Sequence, residues 1–393
     1  MSNDLDQAFE DLWPHILDDI DMQSSPGLSA LARFGATNGE VLKYDIYRNT
    51  FDPQRVSILK SMVKNRLYAT INVEPTDLVN PEEAGVCDPI KLFIKPEPHK
   101  NEKVETGRLR LISSVSLIDS CVDRFLFLRL TYKVLRVVYE YKTPVMVGWT
   151  PLKGGYTQIY RGWEKIEKFV CIDKSAWDWS LPYWLIRAMK EVLVTLADDA
   201  PDWWIQAVET RFICLFKDPQ FAFSDFGKVR QGISGIMKSG CYLTILLNSI
   251  GQLMLHVLAC LHLNRSDAIH EFMPKVLGDD SVQPEFDFVD DYVGYLTELG
   301  FVCKVEKLDH IDFAGFIYKD KKFYPAYPRK HLFKLRYLPI DEQLAKSTLM
   351  NFQVLYAFDR DFLKMLQEIA RTCGRIDAIV DMRRLLAITN GTK

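Results

Sequence analysis

A chain of 393 residues is too long for one ordinary core and allows two or three lobes. Its 48% hydrophobic, 26% charged and 12% aromatic residues, eight tryptophans among them, exclude a disordered or fibrous chain and fit a folded enzyme. A net charge of −3 excludes a uniformly basic surface, so any polyanion would have to bind a local patch.

The N-terminal stretch Asp4–Asp21 is acidic, contains no lysine or arginine, and lacks the basic start and apolar run of a secretory signal. Residues 1–165 mix helices and loops. Within them Lys91–Arg110 concentrates Lys91, Lys95, Lys100, Lys103, Arg108 and Arg110 against Glu97, Glu102 and Glu105. Phe169-Val-Cys-Ile172 is a short apolar strand that delivers Asp173. Leu181–Leu196 reads as an amphipathic helix and Pro201–Phe216 as a further helical insertion, followed by a glycine-containing loop over 227–239.

Cys241–Leu263 carries no Asp, Glu, Lys or Arg and is long enough to span a bilayer. Thr244, Asn248 and His256 interrupt it near one helical face. That polar stripe predicts a buried helix and no transmembrane segment. Met273–Leu277 and Ser281–Gln283 form a strand–turn–strand unit with Gly278-Asp279-Asp280 at its tip, and Phe288–Leu299 is a helix stopped by Gly300. Strands are expected at 301–305 and 313–318. A second basic block, Lys319–Arg336, interleaves cations with rings, and the remainder is mainly helical to about Leu386. Strands with acidic tips and helices behind them define an α+β class.

Two strand ends of this kind bring Asp173 and Asp279 close enough to bridge Mg²⁺ or Mn²⁺, which prefer oxygen ligands, with Asp280 as an accessory ligand. Two such ions suit nucleotidyl transfer, one at the attacking 3′-hydroxyl and one at the leaving pyrophosphate. Asp178 lies too far along to be a simple strand neighbour of Asp173, and it is suited to accept a hydrogen bond from a sugar hydroxyl. Asn248 and Ser239 each donate and accept, so they can share that task and read a ribose 2′-OH. The eight cysteines form no CxxC pair, and the histidines show no ligand spacing, which argues for a reducing compartment without disulfides or zinc.

The ordered patterns Asp173-Lys-Ser-Ala-Trp-Asp178, Ser239-Gly240 with Thr244 and Asn248, and Gly278-Asp279-Asp280 resemble motifs A, B and C of viral RNA-dependent RNA polymerases. Ser24-Ser-Pro-Gly27, Lys95-Pro-Glu-Pro-His-Lys100, Gly107-Arg-Leu-Arg-Leu-Ile112 and Val147-Gly-Trp-Thr-Pro-Leu152 are similar to sobemovirus and polerovirus polymerases, over about residues 24–320. The resemblance implies a right-hand fold with an antiparallel palm sheet backed by helices. It assigns 1–165 and 186–232 to fingers, 166–185 and 233–324 to palm, and 325–393 to thumb.

It also gives Lys95, Lys103, Arg108 and Arg110 the role of motif F, holding the incoming triphosphate, with Arg110 in direct contact and Glu97 fixing one of the cations. Ser239, Gly240, Thr244, Asn248 and Asp178 are expected to line the nucleotide and ribose site. Ser25 and Gly27 resemble motif G at the template entrance, and Phe313-Ala-Gly315-Phe resembles the motif E hairpin under the primer. Lys304 and Lys307 both suit the motif D lysine that protonates pyrophosphate, and spacing favours Lys307.

Implied partners are template and product RNA, nucleoside triphosphates, a genome-linked protein primer and other viral replication proteins. The implied setting is the host cytoplasm, in complexes that partners hold at membranes. A reverse transcriptase shares the palm layout, but that class usually has a bulky residue at the sugar gate and lacks this glycine before the two aspartates. A non-catalytic RNA-binding scaffold would not need all three aspartates.

Overall fold

Strands form where apolar or alternating runs lie between turn residues. In the computed structural model, which describes residues 2–97, 99, 101–140, 142–223, 227–338 and 341–392, they are β1 (Ile90–Ile94), β2 (Leu111–Ser114), β3 (Phe169–Lys174), β4 (Gln220–Ala222), β5 (Lys228–Arg230), β6 (Lys275–Leu277), β7 (Asp280–Pro284), β8 (Cys303–Leu308), β9 (Ile311–Phe313), β10 (Phe316–Lys319) and β11 (Lys322–Pro325). The chain divides into two compact units, residues 1–134 with 176–251 and residues 135–175 with 252–393.

In the first unit the sheet runs β2-β1-β4-β5, with β1 parallel to β4 and the other pairs antiparallel. Helix Pro53–Asn72 starts where Asp52 accepts a hydrogen bond from the Arg55 amide at 3.0 Å, with Pro53 supplying the first helical φ. Its buried Leu59, Val63, Leu67 and Ile71 recur every four residues and face helix Asp202–Phe212. The expected helical insertion over 201–216 is this helix followed by a π-turn at Ile213–Lys217.

Within this unit lies a buried charge network. Arg211, 1% exposed, donates from Nε and Nη2 to the Asp123 carboxylate at 2.7 and 3.1 Å. One helical turn before Asp123, Asp119 accepts from Arg66 Nη1 at 2.5 Å and from the Asp88 amide at 2.8 Å. Arg66 also reaches Asp88 at 3.0 Å. Burial pushes the Asp119 carboxyl up to about 6, against the opposing pull of Arg211 and Arg66.

The second unit is built on an antiparallel sheet ordered β6-β7-β3-β8, with a smaller antiparallel sheet β11-β10-β9. An aromatic core fills it: Trp149, Tyr156, Trp163, Phe169, Phe313, Tyr318 and Phe323 are all buried. Such rings bury roughly 150–250 Å² each and dominate core energetics. The run expected as one strand over 313–318 is instead broken by a turn at Ala314-Gly315, where both residues have positive φ (54° and 78°), the geometry that suits tight hairpins.

Three C-terminal helices, Glu342–Leu355, Arg360–Thr372 and Met382–Asn390, each begin at an aspartate. Asp341, Asp359 and Asp381 accept from the amide three residues on, at 2.7, 3.0 and 2.9 Å. Such caps stabilise a helix start by about 1 kcal/mol each.

Helix Thr244–His262 is long and apolar enough to cross a membrane by length and composition, but most of that window is buried inside the protein. Its polar stripe is buried too: Asn248, Gln252 and His256 are 5%, 2% and 1% exposed. Burial lowers the His256 imidazole to about 4, so the ring is neutral at physiological pH.

Candidate active site

Asp173 is the fifth residue of β3, and β7 and β8 flank that strand on its two sides. The β6–β7 hairpin carries Gly278-Asp279 in its turn and Asp280 as the first residue of β7. The register therefore brings all three aspartates to one end of the sheet. A cavity of about 460 Å³ opens there, lined by Asp173, Asp279, Asp280, Glu306 and Asp312 against a single lysine, Lys304. Asp280 keeps a large part of its surface open, yet its carboxyl is crowded. Desolvation first, then Asp279, Asp312 and Asp173, push it up to about 6.

This excess of anionic oxygen suits a hard divalent cation, whose charge would reverse the crowding that raises Asp280. Among the described residues no three His, Cys, Asp or Glu side chains gather tightly enough to hold an ion by themselves. Mg²⁺ does not require it, since it commonly takes one or two carboxylates and completes its shell with water and substrate phosphate.

Strand parity separates the two lysines. Lys304 is the direct partner of Asp173, whereas Lys307 lies opposite Val170 and three residues further along β8. Successive side chains alternate between faces, so Lys304 and Glu306 share the Asp173 face and Lys307 takes the other. Lys307 pairs there with Glu285 at 3.1 Å. Lys304 is hydrogen-bonded to Glu306, which raises its pKa and keeps it protonated. Counting along β8 in twos from the strand pairing is what sets Lys304 and Lys307 on different faces; no local pattern foretells the placement of Asp312.

The motif E residues divide. Both Phe313 and Gly315 line the cavity, Gly315 in the turn, while the Phe313 ring is 2% exposed and packs on Trp149 at 5.9 Å between centroids, so its main contact is with the core.

The remaining sequence candidates belong to the first unit. Asn248 Nδ2 donates to Asp178 Oδ1 at 2.9 Å, and Asn248 Oδ1 has no hydrogen-bond partner among the described residues. Ser239 and Ser113 clasp each other: each backbone amide donates to the other's hydroxyl, at 3.0 and 2.8 Å. Gly240 continues that seam by donating to Ser113 O at 2.9 Å, and a Cβ on Gly240 would sit only 2.5 Å from the same oxygen. The approach requires glycine. Thr244 donates to the carbonyls of Lys238 and Cys241 at 2.6 and 2.8 Å. Ser239, Gly240 and Thr244 thus tie the loop to β2 and to its own helix. Lys238 is fully buried in this loop, and desolvation lowers its ammonium to about 7.

In the basic block, Glu97 holds two cations, not one: Lys95 Nζ at 3.1 Å and Arg110 Nη1 at 3.1 Å. Arg108 pairs with Glu102 at 2.5 Å, and Lys103 is exposed on the short helix Asn101–Glu105. Lys100 lies outside the described residues. Ser25 Oγ accepts from the Gly27 amide at 3.2 Å, and Gly27, at φ 66°, presses on the Ser116 backbone where a Cβ would meet Cα at 2.7 Å.

The arrangement of strands and helices is that of a right-hand polymerase. A solved sicinivirus 3Dpol RNA dependent RNA polymerase shares it with a TM-score of 0.66 and 16% identity, over 95% of this chain and 78% of that one. Residues 14–313 match the model of the family described as viral RNA-dependent RNA polymerase, and the chain belongs to that family. It is 31% identical over 296 residues to the replicase polyprotein P2AB of Cocksfoot mottle virus, covering 73% of this chain and 28% of that protein. It is 27% identical over 307 residues to protein P1-P2 of Potato leafroll virus, covering 72% of this chain and 27% of that protein. The chain therefore spans under a third of the length of these two relatives.

Proposed function

We propose that this chain is the RNA-dependent RNA polymerase of a plus-strand RNA virus, joining nucleoside triphosphates along an RNA template with two Mg²⁺ or Mn²⁺ ions. The observation that carries the reading is the carboxylate cavity at the ends of β3 and β7. Asp173 and Asp279 would be the principal ligands and Asp280 an accessory one. Bound divalent ions supply Lewis acidity for the 3′-hydroxyl and charge neutralisation for pyrophosphate.

In this reading residues 1–165 and 186–232 are fingers, 166–185 and 233–324 palm, and 325–393 thumb. Lys95, Lys103, Arg108 and Arg110 hold the triphosphate, and Ser25 and Gly27 border the template. Likeness to replicase polyproteins supports work beside other viral replication proteins. A genome-linked protein primer and complexes held at host membranes belong to the same proposal. The direct test is incorporation of labelled nucleotides on homopolymeric RNA with and without Mg²⁺ or Mn²⁺. Synthesis that requires the metal and the complementary nucleotide supports the reading. An intact protein that binds RNA yet synthesises nothing under any primer or metal condition overturns it.

Lys304 Nζ, protonated and facing the carboxylates, is the proton donor to the departing pyrophosphate. General-acid catalysis of this kind contributes about 10²–10⁴-fold, so Lys304→Met lowers kcat by about 100-fold or more, whereas Lys307→Met stays near wild type. Equal losses in single-turnover incorporation would refute the assignment.

Asp178 and Asn248 read the ribose, since their hydrogen bond leaves the amide oxygen with unused acceptor capacity. One neutral hydrogen bond contributes about 0.5–1.5 kcal/mol, so Asn248→Ala narrows the preference for NTPs over dNTPs roughly two- to tenfold. An unchanged ratio of kcat/KM for the two sugars removes that role.

A further inference from the structure

We infer that Gln252 is a positioning residue for the catalytic turn, holding Asp279 in place against β3 through Lys174; the inference rests on the polymerase reading above. Lys174 follows Asp173 on β3 and, by strand parity, leaves the sheet on the opposite face. It is 5% exposed, and its Nζ donates to Gln252 Oε1 at 2.5 Å. Gln252, 2% exposed on helix Thr244–His262, donates from Nε2 to the backbone carbonyl of Asp279 at 2.9 Å. Lys174 on β3, Gln252 and the β6–β7 turn are thus joined by two consecutive hydrogen bonds on the side of the sheet away from the cavity.

The chemistry fixes the orientation of the amide. An ammonium offers donors and no acceptor, and a carbonyl offers an acceptor and no donor. A flipped amide would set NH₂ against ammonium and oxygen against oxygen. Only a side chain with one acceptor and one donor at this reach satisfies both neighbours, and burial makes an unsatisfied one costly. Strand pairing already anchors Leu277 and Asp280, which face each other across the β6–β7 ladder. Between them Gly278 and Asp279 form the turn, and the Gln252 bond is a side-chain tether on its exposed tip residue. Partners of this kind, one step removed from a metal ligand, typically change metal affinity or activity 10–100-fold when lost.

The experiment uses Gln252→Glu and Gln252→Met in the full chain, beside wild type and Asp279→Asn. Glutamate keeps the size and the acceptor for Lys174 but turns an oxygen toward the Asp279 carbonyl, so it releases the turn while leaving the lysine paired. Methionine removes both bonds. Mn²⁺ binding is read directly by electron paramagnetic resonance without nucleotide, and kcat, KM for NTP and RNA affinity are read separately. The expected result is roughly a tenfold or greater weakening of Mn²⁺ binding and a similar fall in kcat, with RNA affinity and KM within about twofold. Gln252→Glu is the decisive variant should Gln252→Met fail to fold. If folded Gln252→Glu binds Mn²⁺ and turns over like wild type while Asp279→Asn does neither, this inference is overturned and the polymerase reading stands. If wild type itself neither binds Mn²⁺ nor incorporates nucleotides, both fall together.

Discussion

Asp279→Asn is expected to lower nucleotide incorporation by about 10³-fold or more while RNA affinity and melting temperature stay close to wild type. The size follows from the charge it removes. Metal ions in such sites supply several kcal/mol of transition-state stabilisation, and each factor of ten in rate corresponds to about 1.4 kcal/mol. Stability is spared because the turn is held by the Asp279 backbone carbonyl, which asparagine keeps. The carboxyl itself is exposed and crowds Asp280. Removing it relieves that crowding, so the Asp280 carboxyl moves back toward the ordinary carboxylate range. A folded variant retaining more than about a tenth of wild-type activity would break the link between this carboxylate and the chemistry.

The largest effect on stability is expected away from the cavity, at Arg211. Arg211→Met strands Asp123 and deprives Asp119 of a neighbouring cation in a fully buried setting. Breaking a buried pair from one side costs about 3–5 kcal/mol, because the charge left behind is uncompensated. Urea unfolding should show a much lower midpoint with an unchanged slope.

Adding Asp123→Leu should recover part of the loss, since replacing both charges by apolar groups removes the stranded one. The sign of the pH dependence follows from Asp119. Its folded pKa, already raised to about 6 from an ordinary 3.8, rises further without Arg211. The native state then binds a proton that the unfolded chain does not, so the deficit shrinks as pH falls from 7 to 5. A loss under about 1 kcal/mol at pH 7, or one that grows on acidification, contradicts this account.

Much of the site could be read from the chain because its parts are local. Phe169–Ile172 is apolar and ends in Asp173, and β-prone runs bracket Gly278-Asp279-Asp280, so strand, tip and carboxylate are encoded within a few residues of one another. The helix over 244–262 was likewise legible as buried from its Thr, Asn and His stripe.

What escaped depends on pairing between distant segments. Lys304 and Lys307 are indistinguishable until the register sets Asp173 opposite one of them. The packing of Phe313 on Trp149, more than 160 residues earlier, has no signal in the hairpin segment itself. The network of Arg66, Asp88, Asp119, Asp123 and Arg211 joins partners up to 92 residues apart, and each member alone looks like an ordinary charged helix or loop residue.

The alternation at the end of β3 also limits how the gene can change. Asp173 and Lys174 stand on opposite faces, one toward the carboxylate cavity and one toward the buried helix. A single codon inserted or deleted within 169–173 would move every later side chain to the other face of the sheet. A deletion would turn an ammonium into the anionic pocket, and an insertion would bury a carboxylate against Gln252, each reversing the sign of the charge at one of the two places. Insertions in this region are therefore expected to persist only in the turns before Phe169, where added length shifts no strand register.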